Sequence, residues 1–294
     1  MRITDDHIAH WHEHGYVLVE NFLTPDELAA GQANLARYLP SAEEHAAAPE
    51  RYVQLPTYLE FPFVDDALNN IATHPEVVSA VERIVGTDEL LLKQCVVWAK
   101  YAGREDYEQA LHSDWKGNAL CYPSDERLFE QIPILIYYTD VTEELGPTHV
   151  VDRGKTQDEF LADDSFARDA RPDLYELEQP VLATAGSLMI WSMRTLHRGS
   201  RLKAKVGHRI AQFLGYAAAG NHWMGYQAWP KDSHTKPAIE RFIGQATPRQ
   251  RELIGFPAQG HPYWTEATIR GTAARYPGFD PAPYLEALAV TTSV

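Results

Sequence analysis

The apolar positions of this chain change their period once, near residue 90. Before it they fall at helical intervals: in "TDDHIAHWHEHGYVLVENF", Ile8 and Trp11 lie three apart, as one buried stripe of a helix requires. Thr4 is placed to cap that helix, Asp5 and Asp6 to complement its first turn, and Gly15 to end it. "YVLVENF" then reads as a strand. "TPDELAAGQANLARYL" restarts a helix, with Thr24 as cap and Pro25 at its first position. "HPEVVSAVERIVG" repeats the grammar and stops at Gly86.

Beyond residue 90 the apolar runs shorten and fill with β-branched and aromatic residues: "LLLKQCVVWAKY", "IPILIYYTDV", "THVVD", "GSLMIWS" and "HRIAQFLGYAAA". Gly, Pro and Asp separate them, and no long helical pattern intervenes. This predicts a mainly β fold, a sandwich or barrel with flanking α-helices. The expected organisation is a single domain over 1–294. Its parts are a helical N-terminal portion (1–89), a β core (90–220) and C-terminal helix and loop elements (221–294), the last holding the aromatic-rich "GNHWMGYQAWP".

Composition narrows the function classes. With 294 residues the chain can bury a sizeable core, and its 45% apolar and 23% charged content is that of ordinary globular proteins. A formal net charge of −15 repels a phosphate backbone and an anionic membrane surface, so neither nucleic acid nor membrane is an expected partner. No run approaches the roughly 18 apolar residues of a membrane span. "MRITDDHIAH" has no signal-peptide core. Cys95 and Cys121 are the only cysteines, which points away from a disulfide framework and towards the reducing cytoplasm, as packing thiols.

Two histidine patterns compete as metal sites. His7, His10 and His14 share a helix face, with His12 nearby, yet no neighbouring carboxylate or oriented second shell completes a site; they read as a solvated face. "HSD" is different. In an extended segment His112 and Asp114 project to the same side, which presents an imidazole nitrogen and a carboxylate oxygen as adjacent ligands. Alone this is a weak signal. The complement comes 85 residues later in "SLMIWSMRTLHRGSRLKAKVGHRI", where His197 follows an apolar strand.

That segment also carries Arg194, Arg198, Arg201, Lys203, Lys205 and Arg209 with no acid among them. Most such bases sit in solvated loops. Arg209 begins a strand, and an arginine there should find a bidentate anionic partner, from the protein or from a ligand. Two histidines and one carboxylate leave about three open positions on an octahedral ion, which suits non-haem Fe(II) oxygenases, although zinc accepts the same ligands. His149, His208, His222, His234 and His261 show no ligand spacing.

Over most of its length the chain resembles the phytanoyl-CoA dioxygenase-like iron(II)/2-oxoglutarate oxygenases, which include ectoine hydroxylases. "HGYVLVEN" followed by "FLTPDEL", "QCVVWAKYAG", "HSD", "TDVTEELGPTHVV" and "LHRGS" with Arg209 twelve residues beyond His197 occur in the family's order and spacing. The resemblance implies a double-stranded β-helix (jelly-roll, cupin-like) core. It also implies Fe(II) held by His112, Asp114 and His197, 2-oxoglutarate as cosubstrate with its distal carboxylate on Arg209 assisted by Ser200, and O2 as oxidant. Gln94, Trp115 and Trp98 are the expected substrate-binding residues. The intact Asp114 favours hydroxylation of an unactivated C–H bond, since related halogenases replace this carboxylate with a small residue.

The chain departs from the family at "VVDRGKT", where a Pro-Gly-Ser-His stretch is usual, and at "KYAG", where a Lys-Pro-Gly turn is usual. Both are expected near the pocket mouth, which makes a CoA substrate unsafe to assume. An amino-acid derivative or natural-product intermediate is the expected substrate. Two alternatives stand beside this reading: a zinc-dependent hydrolase or isomerase on the same barrel, and a non-catalytic barrel that binds a small ligand. Oligomeric state is not legible in the sequence.

Overall fold

In a computed structural model of the protein, the described residues are 1–54, 58–104, 107–114, 126–159, 165–221, 237–261 and 264–291. Two antiparallel sheets face each other. The larger has the order β1-β9-β5-β11-β3-β2 and the smaller β7-β4-β10-β6-β8. In chain order the strands are β1 (Tyr16–Val19), β2 (Tyr58–Glu60), β3 (Leu90–Tyr101), β4 (Leu111–His112), β5 (Gln131–Tyr137), β6 (Thr148–Val151), β7 (Ser165–Phe166), β8 (Glu178–Val181), β9 (Leu188–Trp191), β10 (His197–Gly199) and β11 (His208–Ala218). From β4 to β6, and again from β9 to β11, the chain passes from one sheet to the other at every turn. This is the double-stranded β-helix, and the mainly β expectation holds.

Period-two alternation sorts the long strands into two faces. On β11, Ala211 and Phe213 join Val96, Leu135, Met189 and Trp191 in an apolar cluster between the sheets. Ile210, Leu214 and Tyr216 point the other way, into the main core shared with Leu68, Val81 and Ile84 of the helices. Buried polar groups bolt that second face down: the Tyr138 hydroxyl donates to Gln212 Oε1 (2.6 Å), and Gln212 Nε2 donates to Leu68 O (3.0 Å). Gly31 lets the Tyr138 ring approach, because a Cβ there would lie 2.4 Å from Cε1.

The N-terminal helices follow their caps. Thr4 and Thr24 each close a capping box on α1 (Asp5–His14) and α2 (Pro25–Leu35), and the helix Pro75–Val85 ends at Gly86 with φ 85°. The predicted strand at "YVLV" is β1, which extends the large sheet beside β9. The helical portion also supplies β2, whose three residues carried no pattern of their own and which pairs with Val96–Trp98. Helices Pro237–Gln245, Pro248–Leu253, Glu266–Arg275 and Ala282–Thr291 follow the barrel.

Arg2 pins these elements together by donating to Glu27 Oε2 (2.6 Å) and to Phe22 O (3.0 Å). Burial opposes ionisation of Glu27, but the Arg2 guanidinium, the Thr24 cap and the Arg2 charge together outweigh it and hold the carboxyl at about 2. A folded-state pKa below the unfolded one contributes stability that is present above the unfolded value and is lost as pH falls towards 2. Both side chains are about 30% exposed, so the pair is worth about 1 kcal/mol after solvent screening. Arg2→Ala should therefore lower the denaturation midpoint at neutral pH. The difference from wild type should shrink between about pH 4.5 and pH 2 as Glu27 protonates, a comparison made by urea melts across that range.

Candidate active site

His112 and His197 are direct register partners on β4 and β10 of the small sheet, and their rings lie 4.5 Å apart. Asp114 follows β4 and turns its carboxylate between them: Oδ2 is 3.4 Å from His197 Nε2 and Oδ1 is 3.9 Å from His112 Nε2. One ligand atom from each of the three falls within 4.8 Å of the others, the only such group among the described residues. The rings are oriented before any ion arrives. His112 Nδ1 meets Ala110 O (2.8 Å) and His197 Nδ1 meets Thr195 O (2.9 Å). A carbonyl can only accept, so each proton sits on Nδ1 and each Nε2 keeps its lone pair for a metal. The donor set and its preset tautomers fit a divalent ion with open positions.

The turn before His197 is what fixes two of these ligands. Met193 O accepts from Asp114 N (3.2 Å), while Thr195 O orients His197. The turn is itself held at Gly15 O, which accepts from Ser192 N (2.9 Å) and from the Thr195 hydroxyl (2.6 Å). Beneath it lies Glu130, a buried carboxylate that accepts from the Ser192 hydroxyl. Burial pushes Glu130 above the usual carboxyl range, and the Ser192 hydrogen bond with the Arg153 and Arg194 charges pulls it back. Gly15 thus does more than end α1. At φ 76°, a Cβ there would sit 2.6 Å from Thr195 Oγ1. Thr195→Val should cost about 1–2 kcal/mol in a denaturant melt. It should also weaken metal affinity by about tenfold, as loss of an outer support does, in a metal titration.

A cavity of about 550 Å3 opens over the triad between the sheets. Arg209 reaches it from β11 and donates to Gly146 O; among the described residues no carboxylate pairs with it. Burial lowers its pKa, opposed by the Tyr137 and Tyr107 fields. Gly146 begins the "GPT" turn, and the next carbonyl, Pro147 O, accepts from the Ser200 hydroxyl (2.7 Å). The turn, the "LHRGS" segment and Arg209 are interlocked. The Ser200 hydroxyl is buried by that contact, and Thr148 and Tyr107 are the hydroxyl residues among those that line the cavity.

Gln94 and Trp98 both line the cavity, and Trp115 lies outside the described residues. So do Cys121, His222 and His234. Sequence reasoning missed Lys100, Tyr107, Leu135, Trp191 and Phe213 on the wall. Counting by two from Arg209 would have found Phe213, and from Trp98 would have found Lys100. Trp191 packs its ring edge-on to His197 at 5.4 Å.

Other expectations settle differently. Arg198 of the basic run is buried and paired with Glu178 (2.6 Å) and Glu108 (3.2 Å), a structural role. Of the N-terminal histidines, His7 Nδ1 closes the α1 capping box, and His14 Nδ1 meets Asp152 Oδ2 at 3.0 Å. That carboxylate comes from far along the chain, where local reading could not find it. Asp152 opens the "DRGK" departure, which docks on the end of α1 and is not on the cavity wall, contrary to its expected place at the mouth. In "KYAG", Lys100 faces the main cavity, whereas Ala102 and Gly103 line a separate one beside His45 and Lys205.

Residues 11–206 match the family described as phytanoyl-CoA dioxygenase (PhyH). The chain belongs to that family. Solved structures similar to this PhyH member include three at low identity. EctD from S. alaskensis in its apo form is 16% identical, with a TM-score of 0.57 over 76% of this chain and 79% of that one. HygX from Streptomyces hygroscopicus with nickel and 2-oxoglutarate bound is 14% identical, with 0.54 over 74% and 88%. The epimerase SnoN in complex with Fe3+, alpha-ketoglutarate and nogalamycin RO is 18% identical, with 0.51 over 73% and 83%. At these identities the likeness is one of fold. No curated protein sequence matches the chain. No helix among the described residues is long and apolar enough to cross a membrane.

Proposed function

We propose that this PhyH-family protein is an Fe(II)/2-oxoglutarate-dependent oxygenase that hydroxylates an unactivated C–H bond of a small molecule. Its expected products are succinate, CO2 and the hydroxylated substrate, an amino-acid derivative or natural-product intermediate. Residues 1–294 would act as one catalytic domain in the cytoplasm. The observation that carries the reading is the shared cavity: a preset two-histidine, one-carboxylate set and a half-buried arginine with no carboxylate partner among the described residues open onto the same space. A zinc hydrolase has no use for that arginine, and a passive ligand-binding barrel has no use for the triad.

When bound, the iron with 2-oxoglutarate and O2 supplies an oxidant able to attack an unactivated C–H bond. The chain supplies the rest. His112, Asp114 and His197 hold the ion on one side and leave its other positions open. Arg209 offers its fork to the distal carboxylate of 2-oxoglutarate, with Gly146 O keeping the guanidinium in place. Leu135, Trp191 and Phe213 keep the space over the metal apolar and poor in water.

The test is anaerobic loading with Fe(II) and 2-oxoglutarate, then admission of isotopically heavy dioxygen with a panel of small molecules. Succinate release with one heavy oxygen in the product supports hydroxylation. An unchanged product mass would move the reading to the epimerase chemistry named for SnoN, and loss of two hydrogens to desaturation or ring formation. Full activity with zinc and no 2-oxoglutarate would overturn it.

A further inference from the structure

A buried carboxylate underlies the turn that holds two of the three ligands, and its partners show what it does, provided that the triad is the metal site proposed above. Strand β5 runs antiparallel to β9 with Ile134 opposite Ile190, so the residues that open β5 lie beside those that follow β9. Glu130 immediately precedes β5, and Ser192 immediately follows β9. Their side chains meet in the interior, where Glu130 is 5% exposed and Ser192 is fully buried.

Each polar atom of this contact has a fixed role. A serine hydroxyl has one proton to give and two lone pairs to fill. Ser192 Oγ accepts from Arg153 Nη1 (3.3 Å) and from the backbone N–H of Arg194 (3.1 Å). Neither a guanidinium nor an amide N–H can accept, so the hydroxyl proton goes to Glu130 Oε1. The Met193 amide is a second donor to the same carboxylate. Two donors from adjacent residues of the turn therefore converge on Glu130. A side-chain amide in its place would offer a single acceptor oxygen beside an NH2 group that cannot accept.

Packing alone does not call for this arrangement. Burying a carboxylate costs more than burying an apolar side chain of its size, and ionic contacts often fail to repay that cost. What the carboxylate holds is the turn Ser192–Thr195. Met193 O accepts from Asp114 N (3.2 Å), and Thr195 O meets His197 Nδ1 (2.9 Å). One buried group thus stands behind two ligands from separate segments. His112 takes its orientation from Ala110 O and not from this turn. Arg153 brings in the "DRGK" segment, whose docking on α1 is thereby tied to the same hydroxyl.

We propose that Glu130 is a positioning residue of the metal centre. Through the Ser192 hydroxyl and the Met193 amide it sets where Asp114 and His197 stand, and so how tightly and in what geometry the ion is held.

The test uses the full chain with Co(II) as the probe metal, because its visible bands report the geometry of its ligands. Affinity is read by titration, geometry from the bands at saturating Co(II), and folding from near-ultraviolet dichroism. Glu130→Gln and Ser192→Ala should each weaken Co(II) binding by about tenfold, as loss of an outer support does. Both should also shift the bands at saturation, which a loss of stability alone would not do. The double variant should bind no worse than the poorer single variant, since both changes break one line of contact. Glu130→Asp keeps both acceptor oxygens on a shorter arm and should fall between Glu130→Gln and wild type. Tyr216→Phe is the control: it removes a buried hydrogen bond to Ala72 O in the helical core, so it should cost stability and leave the bands and the affinity as they are.

Bands and affinity unmoved in folded Glu130→Gln and Ser192→Ala would overturn the proposal. So would an equal band shift in Tyr216→Phe, which would make the effect one of general loosening. If Glu130→Gln does not fold, Ser192→Ala decides the question, since it removes only one hydroxyl. Co(II) binding that is absent from wild type, or that survives His197→Ala, refutes the metal site and this proposal with it. Binding that depends on His197 but not on Glu130 or Ser192 refutes the positioning role alone.

Discussion

Alanine at His112, Asp114 or His197 should bring 2-oxoglutarate-dependent turnover to background while the barrel stays folded. The distinguishing measurement is the metal-linked shift in stability. A ligand that binds only the native state stabilises it by about 2.7 kcal/mol at a hundred times its Kd, so wild-type protein should melt higher with added metal. Each variant should lose that increment and keep an apo stability within about 1 kcal/mol of wild type. The structure explains why the apo fold should tolerate the change. The β4–β10 pairing that carries His112 and His197 uses backbone groups, and the backbone amide of Asp114 donates to Met193 O, a bond that alanine keeps. As a control, combined replacement of His10, His12 and His14 should leave metal stoichiometry unchanged, because those rings do not converge with a carboxylate into a ligand set. A metal-linked shift that survives in the triad variants and vanishes in the control would place the ion on α1.

Local grammar made much of this legible. Caps at Thr4 and Thr24, stops at Gly15 and Gly86, and the full extent of β3 could be read because each depends on residues a few positions apart. The convergence of His112, Asp114 and His197 was legible for a related reason: the alternation of an extended segment puts His112 and Asp114 on one side, and His197 trails an apolar strand. What stayed hidden depends on contacts between distant segments. Glu130 looks like one more acid in "FEQIP", and only the fold shows it buried beneath the turn that orients His197. Ser200 lies just past the end of β10 at Gly199, and spacing says which face a residue occupies only while the strand lasts. The "DRGK" departure was misplaced because its partner, the C-terminus of α1, lies more than a hundred residues away in sequence. Lys100 alternates with Gln94 and Trp98 on β3, so the parity of that strand places it on the same wall although it also opens the departing "KYAG" turn.

Arg209→Ala should raise the 2-oxoglutarate requirement far more than the iron requirement. The guanidinium faces the cavity from the strand that follows the distal histidine, and Gly146 O, its one hydrogen-bond acceptor among the described residues, leaves the rest of the fork for an anion. Losing a charged bidentate contact in a water-poor pocket costs about 2–5 kcal/mol, or some tens- to thousands-fold in affinity. Iron binding should change little, because no triad residue contacts Arg209 and each imidazole is oriented by its own carbonyl. Arg209→Lys should fall between the two, since it keeps the charge and loses the planar fork. The effect should appear in the apparent KM for 2-oxoglutarate at saturating iron, with metal affinity measured separately by titration. Succinate formation at saturating 2-oxoglutarate should recover in the lysine variant before it does in the alanine variant. A 2-oxoglutarate dependence that neither substitution moves would shift the anion clamp to Lys100, the other cation on the same end of the wall.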